Sequence, residues 1–281
     1  MACLGGIIDI HIHTFPDIRL RRVTDFSLAE EAREVGAKAV VLKSHYFPTM
    51  ERAWLTHRLY PEVEVFGGIT LNPPVGGLNR TAVEAAIRLG AKIVWLPTLF
   101  SSNQRAQEGR TDGIVSVVGG KVVPALRVIL KIIAESDIVL ATGHLSASEI
   151  EVVVEEAVKQ GVRKIVVSHP EHKVISMSIA DQKRLLSANP VLFERCYAQP
   201  VGDGTYKLNL SDNLLAVQEI GYASTVLSTD CGQLENPTWK DTINQYVDFF
   251  YAHGVAKEEI DWMTRTLPGQ LLGIKPASDA V

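Results

Sequence analysis

The 281-residue sequence predicts an α/β fold, a distorted (β/α)8 TIM barrel with a hairpin-containing insertion after its fourth strand. Two observations predict it. Short β-rich apolar runs alternate with helical patterns from end to end, as in repeated βα units around a parallel sheet, and about eight such units can be counted, the number a closed barrel needs. Ionisable residues also recur at the C-terminal ends of the candidate strands, the ends at which barrel enzymes place their chemistry. With 46% hydrophobic and 21% charged residues the chain can bury a large core, and no Pro/Ser-rich linker interrupts it, so residues 1–281 read as one domain.

The strand candidates are 6–13, 39–43, 63–71, 92–96, 138–142, 164–168, 191–195 and 224–228. Several are apolar on both faces, as buried parallel strands are. Between them, Ser27-Leu28-Ala29-Glu30 and Ser146-Ala147-Ser148-Glu149 fit the capping box at helix starts. Gly36, Gly90, Gly161 and Gly221 fall where a helix end wants a left-handed residue. The longest connection, 97–123, contains Gly119-Gly120 between two β-like runs and reads as a small hairpin, either a lid or flap over the substrate or a purely structural excursion.

A net charge of -4 gives no basic footprint for nucleic acid, and no basic run suits a membrane surface. A small-molecule partner is expected, and homo-oligomerisation is compatible with the chain. The three cysteines, Cys3, Cys196 and Cys231, form no Cys-x-x-Cys pair and suggest a reducing compartment. A first strand close to Met1 and the lack of a long apolar run complete the expectation of a soluble, cytoplasmic protein.

Alternation along Ile7-Ile8-Asp9-Ile10-His11-Ile12-His13 puts Asp9, His11 and His13 on one face, and two adjacent imidazoles are metal-ligand geometry. Later strand ends add Lys43 and His45, then His144, His169 and Asp230. In a βα barrel all these ends open on one face. His57 and His253 lie in helical patterns and read as surface or packing residues, and His172 reads as a solvated loop histidine.

The His-x-His start, Ala141-Thr142-Gly143-His144, Val167-Ser168-His169-Pro170 and Leu227-Ser228-Thr229-Asp230 together resemble the amidohydrolase superfamily over nearly the whole chain. The closing Leu267-Pro268-Gly269-Gln270-Leu271-Leu272 also looks like that superfamily's last helix. The resemblance implies that His11, His13, His144, His169 and Asp230 bind one or two divalent metals, and that Asp230 is also the catalytic base. Zinc is the first choice for imidazole and carboxylate ligands, with manganese or iron also suited.

The fourth strand departs from the family pattern, because Lys92 stands at its wrong end and no other residue there can bridge two metals. Lys43 on the second strand is the substitute candidate. As a carbamate it would be an anionic metal ligand; as an ammonium it would bind substrate or reach solvent. His45 can reach the metal, contact substrate or shape the Tyr46-Phe47-Pro48 loop, and substrate contact is the reading adopted.

Arg22, from the Arg19, Arg21, Arg22 group, and Arg195 are the further substrate-binding candidates, since a guanidinium suits carboxylates and phosphates. Trp54, Trp95 and Phe100 can form an apolar wall or simply core. The implied activity is metal-dependent cleavage of an amide or cyclic amide, with a lactone next. The alternatives are a phosphoesterase, whose usual Asp-x-His ending is here Asp230-Cys231-Gly232, a decarboxylase, or a non-catalytic metal- or ligand-binding protein.

Overall fold

The computed structural model describes residues 4–202 and 205–274. Eight strands form one sheet: β1 (Ile8–His13), β2 (Ala39–Lys43), β3 (Glu64–Thr70), β4 (Ile93–Trp95), β7 (Val139–Ala141), β8 (Ile165–Ser168), β9 (Val191–Cys196) and β12 (Thr225–Ser228), in that order. The remaining pairs, β5 (Val117–Val118) with β6 (Lys121–Val122) and β10 (Ala198–Gly202) with β11 (Thr205–Leu208), are antiparallel hairpins. The pairs from β3 through β9 are parallel, and a parallel bridge from Ile12 to Cys231 joins the first strand to the segment after the last. This is the (β/α)8 barrel. All eight expected strands are present, and the hairpin follows β4.

The helices between them are α1 (Asp25–Glu34), α2 (Met50–Leu59), α3 (Arg80–Arg88), α4 (Ser102–Gln107), α5 (Pro124–Ser136), α6 (Ala147–Lys159), α7 (Ile179–Ala188), α8 (Leu210–Ile220) and α9 (Trp239–Ala252). The predicted capping box at Ser146 and Glu149 forms. The one predicted at Ser27 is displaced, because Thr24 caps α1: its hydroxyl accepts from the Ser27 amide at 3.0 Å while Ser27 Oγ accepts from the Thr24 amide at 2.9 Å. Glu30 is then free to accept from the Tyr60 hydroxyl at 2.9 Å.

The chain divides into two compact units, Met1–Leu42 with Ala53–Val65 and Arg195–Val281, and Lys43–Arg52 with Phe66–Glu194. In the first, Leu28, Val40, Leu42, Trp239, Tyr246 and Phe250 belong to one buried apolar cluster. In the second, α5 buries Leu126, Ile129, Leu130 and Ile133, and α6 buries Ile150, Val153, Val154 and Ala157. Both stripes follow the helical period, and each buried Leu or Ile contributes about 1.5–3 kcal/mol. Among the described residues no helix is long and apolar enough to cross a membrane.

The sequence did not announce α4 or the β10–β11 hairpin. Helix α4 is six residues of polar Ser-Asn-Gln-Arg-Ala-Gln with no apolar stripe to betray it. Pro200 and a register shift interrupt β10, which blurs its alternation.

Candidate metal centre

In the first unit, β1 is buried along its whole length, so Asp9, His11 and His13 are withdrawn from water together. The Asp230 amide donates to the His11 carbonyl at 3.0 Å, and the His13 amide to the Cys231 carbonyl at 2.9 Å. These bonds fix Asp230 opposite the two histidines. Its carboxylate Oδ1 lies 3.0 Å from His11 Nε2 and 3.2 Å from His13 Nε2.

Asp230 has φ of 49°, a left-handed conformation that costs an L residue about 1–3 kcal/mol and clusters at functional sites. Gly232 follows two residues on because nothing else fits: a Cβ there would stand 1.7 Å from the His13 carbonyl oxygen. Burial pushes the Asp230 carboxyl upward, but the charge and hydrogen bonds of His11 and His13 outweigh it and hold the group well below the usual carboxylate range.

Asp9 braces this arrangement. It accepts from the His11 amide at 3.1 Å, the Thr229 hydroxyl at 2.6 Å and Trp239 Nε1 at 2.9 Å, tying the first strand to the residue before Asp230. Burial pushes its carboxyl up to about 6 against those bonds. Cys196, which no motif marked, places Sγ 3.9 Å from His11 Nδ1, and donor atoms of His11, Cys196 and Asp230 lie within 4.8 Å of one another. The Cys231 thiol is pushed well above its ordinary pKa by burial and stays protonated.

Of the arginines, Arg22 donates to the Leu234 carbonyl, Arg21 pairs with Asp17 at 2.7 Å, and Arg195 is fully buried with Nε 3.4 Å from Thr225 Oγ1.

The second unit holds a row of imidazoles. Ring centroids are 6.0 Å apart for His45 and His144, 5.0 Å for His144 and His169, and 4.0 Å for His169 and His172, which are stacked. His172 is therefore buried rather than solvated, because the His172 amide donates to the His169 carbonyl at 2.9 Å and the tight turn folds one ring onto the other. His169, like Asp230, has positive φ, at 29°. Gly143 lets the chain pass the β4 end, where a Cβ would meet the Leu96 carbonyl oxygen at 2.4 Å.

Lys43 is fully buried, with Nζ 5.2 Å from the centre of the Trp95 ring, a distance suited to an ammonium over an aromatic face. Trp95 is core, Trp54 is exposed, and Phe100 packs under the Arg105 guanidinium at 4.5 Å. His57 is partly buried and His253 exposed at the end of α9.

Two observations test whether these residues fit a divalent metal. Tetrahedral ligand atoms about 2.0–2.2 Å from a common ion stand roughly 3.3–3.6 Å from each other, and Asp230 Oδ1 comes a few tenths of an ångström nearer than that to His11 Nε2 and His13 Nε2, at 3.0 and 3.2 Å. The second is the tautomer of His144. Gln104 Nε2 donates to Glu108 at 3.0 Å, which orients the amide so that Oε1 faces His144 Nδ1 at 2.5 Å. An amide oxygen only accepts, so Nδ1 carries the proton and a neutral ring has its lone pair on Nε2, the tautomer of a histidine that ligates a metal through Nε2. The donor set fits.

The (β/α)8 barrel is shared with solved structures of known hydrolases. An amidohydrolase from Burkholderia multivorans with bound zinc superimposes with a TM-score of 0.65 at 12% identity, covering 96% of this chain and 100% of that one. An amidohydrolase from Pseudomonas aeruginosa gives 0.63 at 12%, covering 95% of each chain. A probable dipeptidase from the same organism gives 0.67 at 10%, covering 95% of this chain and 94% of its own. At such identities the likeness establishes the fold. The chain belongs to a family of unknown function, DUF6282, whose model matches residues 6–194. No curated protein matches it.

Proposed function

We propose that the protein is a metal-dependent hydrolase that cleaves an amide or cyclic amide bond of a small molecule, with a lactone as the next substrate class. The observation that carries this reading is the convergence of His11 Nε2 and His13 Nε2 on one oxygen of Asp230. The solved neighbours named as amidohydrolases, one with bound zinc, and as a dipeptidase support C–N cleavage and favour zinc over manganese or iron.

The proposed metal ligands, for one or two metals per chain, are His11, His13 and Asp230 in the first unit and His144 and His169 in the second. When bound, such an ion lowers the pKa of water from about 15.7 to about 7 and supplies hydroxide at neutral pH. Asp230, held as a carboxylate by its two histidines, takes the proton of the attacking water and delivers it to the leaving nitrogen. Lys43 would be a metal ligand if carboxylated to a carbamate, and would otherwise stay a cation over Trp95. Arg22, Arg195 and His45 are the proposed substrate contacts. We further propose a single functional domain in a reducing, cytoplasmic setting, with homo-oligomerisation open to test.

Elemental analysis of protein purified without chelator, followed by a panel of amides, lactones, phosphoesters and aromatic acids, tests the reading. Bound metal with turnover of an amide or lactone, abolished in a folded Asp230→Asn variant, supports it. Retention of no metal after loading, or full activity of Asp230→Asn, refutes it. Turnover of phosphoesters alone, of aromatic acids alone, or of nothing in metal-loaded protein would move the assignment to a phosphoesterase, a decarboxylase or a binding protein. A native mass heavier by one carbon dioxide, lost in Lys43→Arg, would identify the carbamate.

A further inference from the structure

Helices α5 and α6 bury stripes of Leu, Ile and Val, as helices around a barrel do. Helix α2 reverses this order. It turns Met50, Ala53 and Thr56 inward, spaced by three, whereas its largest apolar side chains point away, with Trp54 62%, Leu55 56% and Leu59 63% exposed. Trp54 alone leaves roughly 150 Å2 of side chain in water. The half-exposed Phe26 of α1, its ring 6.4 Å from that of Tyr60, adds apolar surface beside the end of α2. A contiguous apolar stripe built around a tryptophan marks a protein–protein contact.

The charges on the same face identify the partner. On a helix of 3.6 residues per turn, Glu51, Trp54, Leu55, Arg58 and Leu59 lie within one arc, and all five are exposed. Glu51 stands one turn before the Trp54–Leu55 pair and Arg58 one turn after it. The Trp54 ring, 5.8 Å from the Arg58 guanidinium, keeps that charge along the stripe. We propose that α2 is the two-fold contact of a homodimer, packed antiparallel against α2 of a second copy. With the axis passing between Trp54 and Leu55, Glu51 meets the partner's Arg58 at one end and Arg58 meets the partner's Glu51 at the other. The Trp54 and Leu55 side chains of both copies fill the middle. A parallel copy would align like charges instead, so the order of charges selects a closed, isologous pair. The two Trp54 side chains alone supply about 300 Å2 of the roughly 1,200–2,000 Å2 that a specific interface buries, and the leucines add to that apolar centre. The contact is independent of what the enzyme cleaves.

Sedimentation velocity of the full chain over a dilution series is the test. The expected result is a dimer that dissociates on dilution, with its Kd raised at least about 30-fold in Trp54→Ala. Arg58→Glu, which sets like charges together, is expected to raise the Kd about 10-fold. Adding Glu51→Arg to Arg58→Glu exchanges the two charges and should return the Kd close to the wild-type value. These side chains point outward, so circular dichroism should show each variant folded; should Trp54→Ala fail to fold, the charge exchange still decides. A wild type that is monomeric at every concentration, leaving the stripe to a different protein, overturns the proposal. So does an oligomer that Trp54→Ala or Arg58→Glu leaves intact, or one that the charge exchange does not restore.

Discussion

Replacing Trp239 with phenylalanine probes the brace beneath the proposed metal ligands. Trp239 is fully buried and donates from Nε1 to Asp9 Oδ2 at 2.9 Å. A hydrogen bond to a charged group contributes about 1.5–3 kcal/mol. The smaller ring also leaves a void of roughly 40 Å3, which at about 24 cal/mol per Å3 adds about 1 kcal/mol. Trp239→Phe should therefore lose about 2.5–4 kcal/mol. Trp262→Phe provides the internal comparison, because that indole donates to the Ala223 carbonyl at 3.1 Å from a partly exposed position, a neutral bond worth about 1 kcal/mol. Urea unfolding followed by far-UV circular dichroism reads both variants without relying on tryptophan fluorescence. If Trp239→Phe loses no more stability than Trp262→Phe, the Asp9 brace does not carry the load given to it here.

Gly143→Ala should cost about 3 kcal/mol or more, since φ of 61° is unfavourable for alanine and its Cβ would meet the Leu96 and Pro97 carbonyl oxygens at 2.4 and 2.7 Å; a wild-type thermal midpoint would contradict the steric argument. Asp137→Asn should keep the left-handed end of α5 but lose the pairs of Asp137 with Arg163 at 3.0 Å and Lys164 at 3.1 Å, costing under about 1 kcal/mol at these exposed positions. The Lys164 hydrogen bond, aided by Arg163, holds the Asp137 carboxyl below its ordinary value, so the pairing stabilises above that ordinary value and fades as pH falls through the lowered one. The difference between wild type and Asp137→Asn should accordingly close in acid, and a difference that grows in acid would refute the assignment.

The sequence by itself determined the barrel and named the candidate ligands. Strand positions were legible because apolar runs, capping residues and left-handed glycines are local signals, and Ser146 with Glu149, Gly36 and Gly161 each appear in the structure as such signals require. The spacing of His11 and His13 was legible for the same reason, since a strand's period of two is fixed by backbone geometry. The partners were not legible. Thr98, Asn72 and Gln104 are ordinary polar residues in loops or a short helix, and only the approach of segments distant in sequence brings Thr98 and Gln104 to the rings of His45 and His144 and Asn72 to Thr98. Cys196 and the brace from Trp239 to Asp9, 230 residues apart, are likewise products of chain closure. Tertiary structure alone decided whether His172 met water or His169, because a turn's polar composition does not say what it packs against. Local geometry chose which side chains share a face, and long-range packing chose their hydrogen-bond partners.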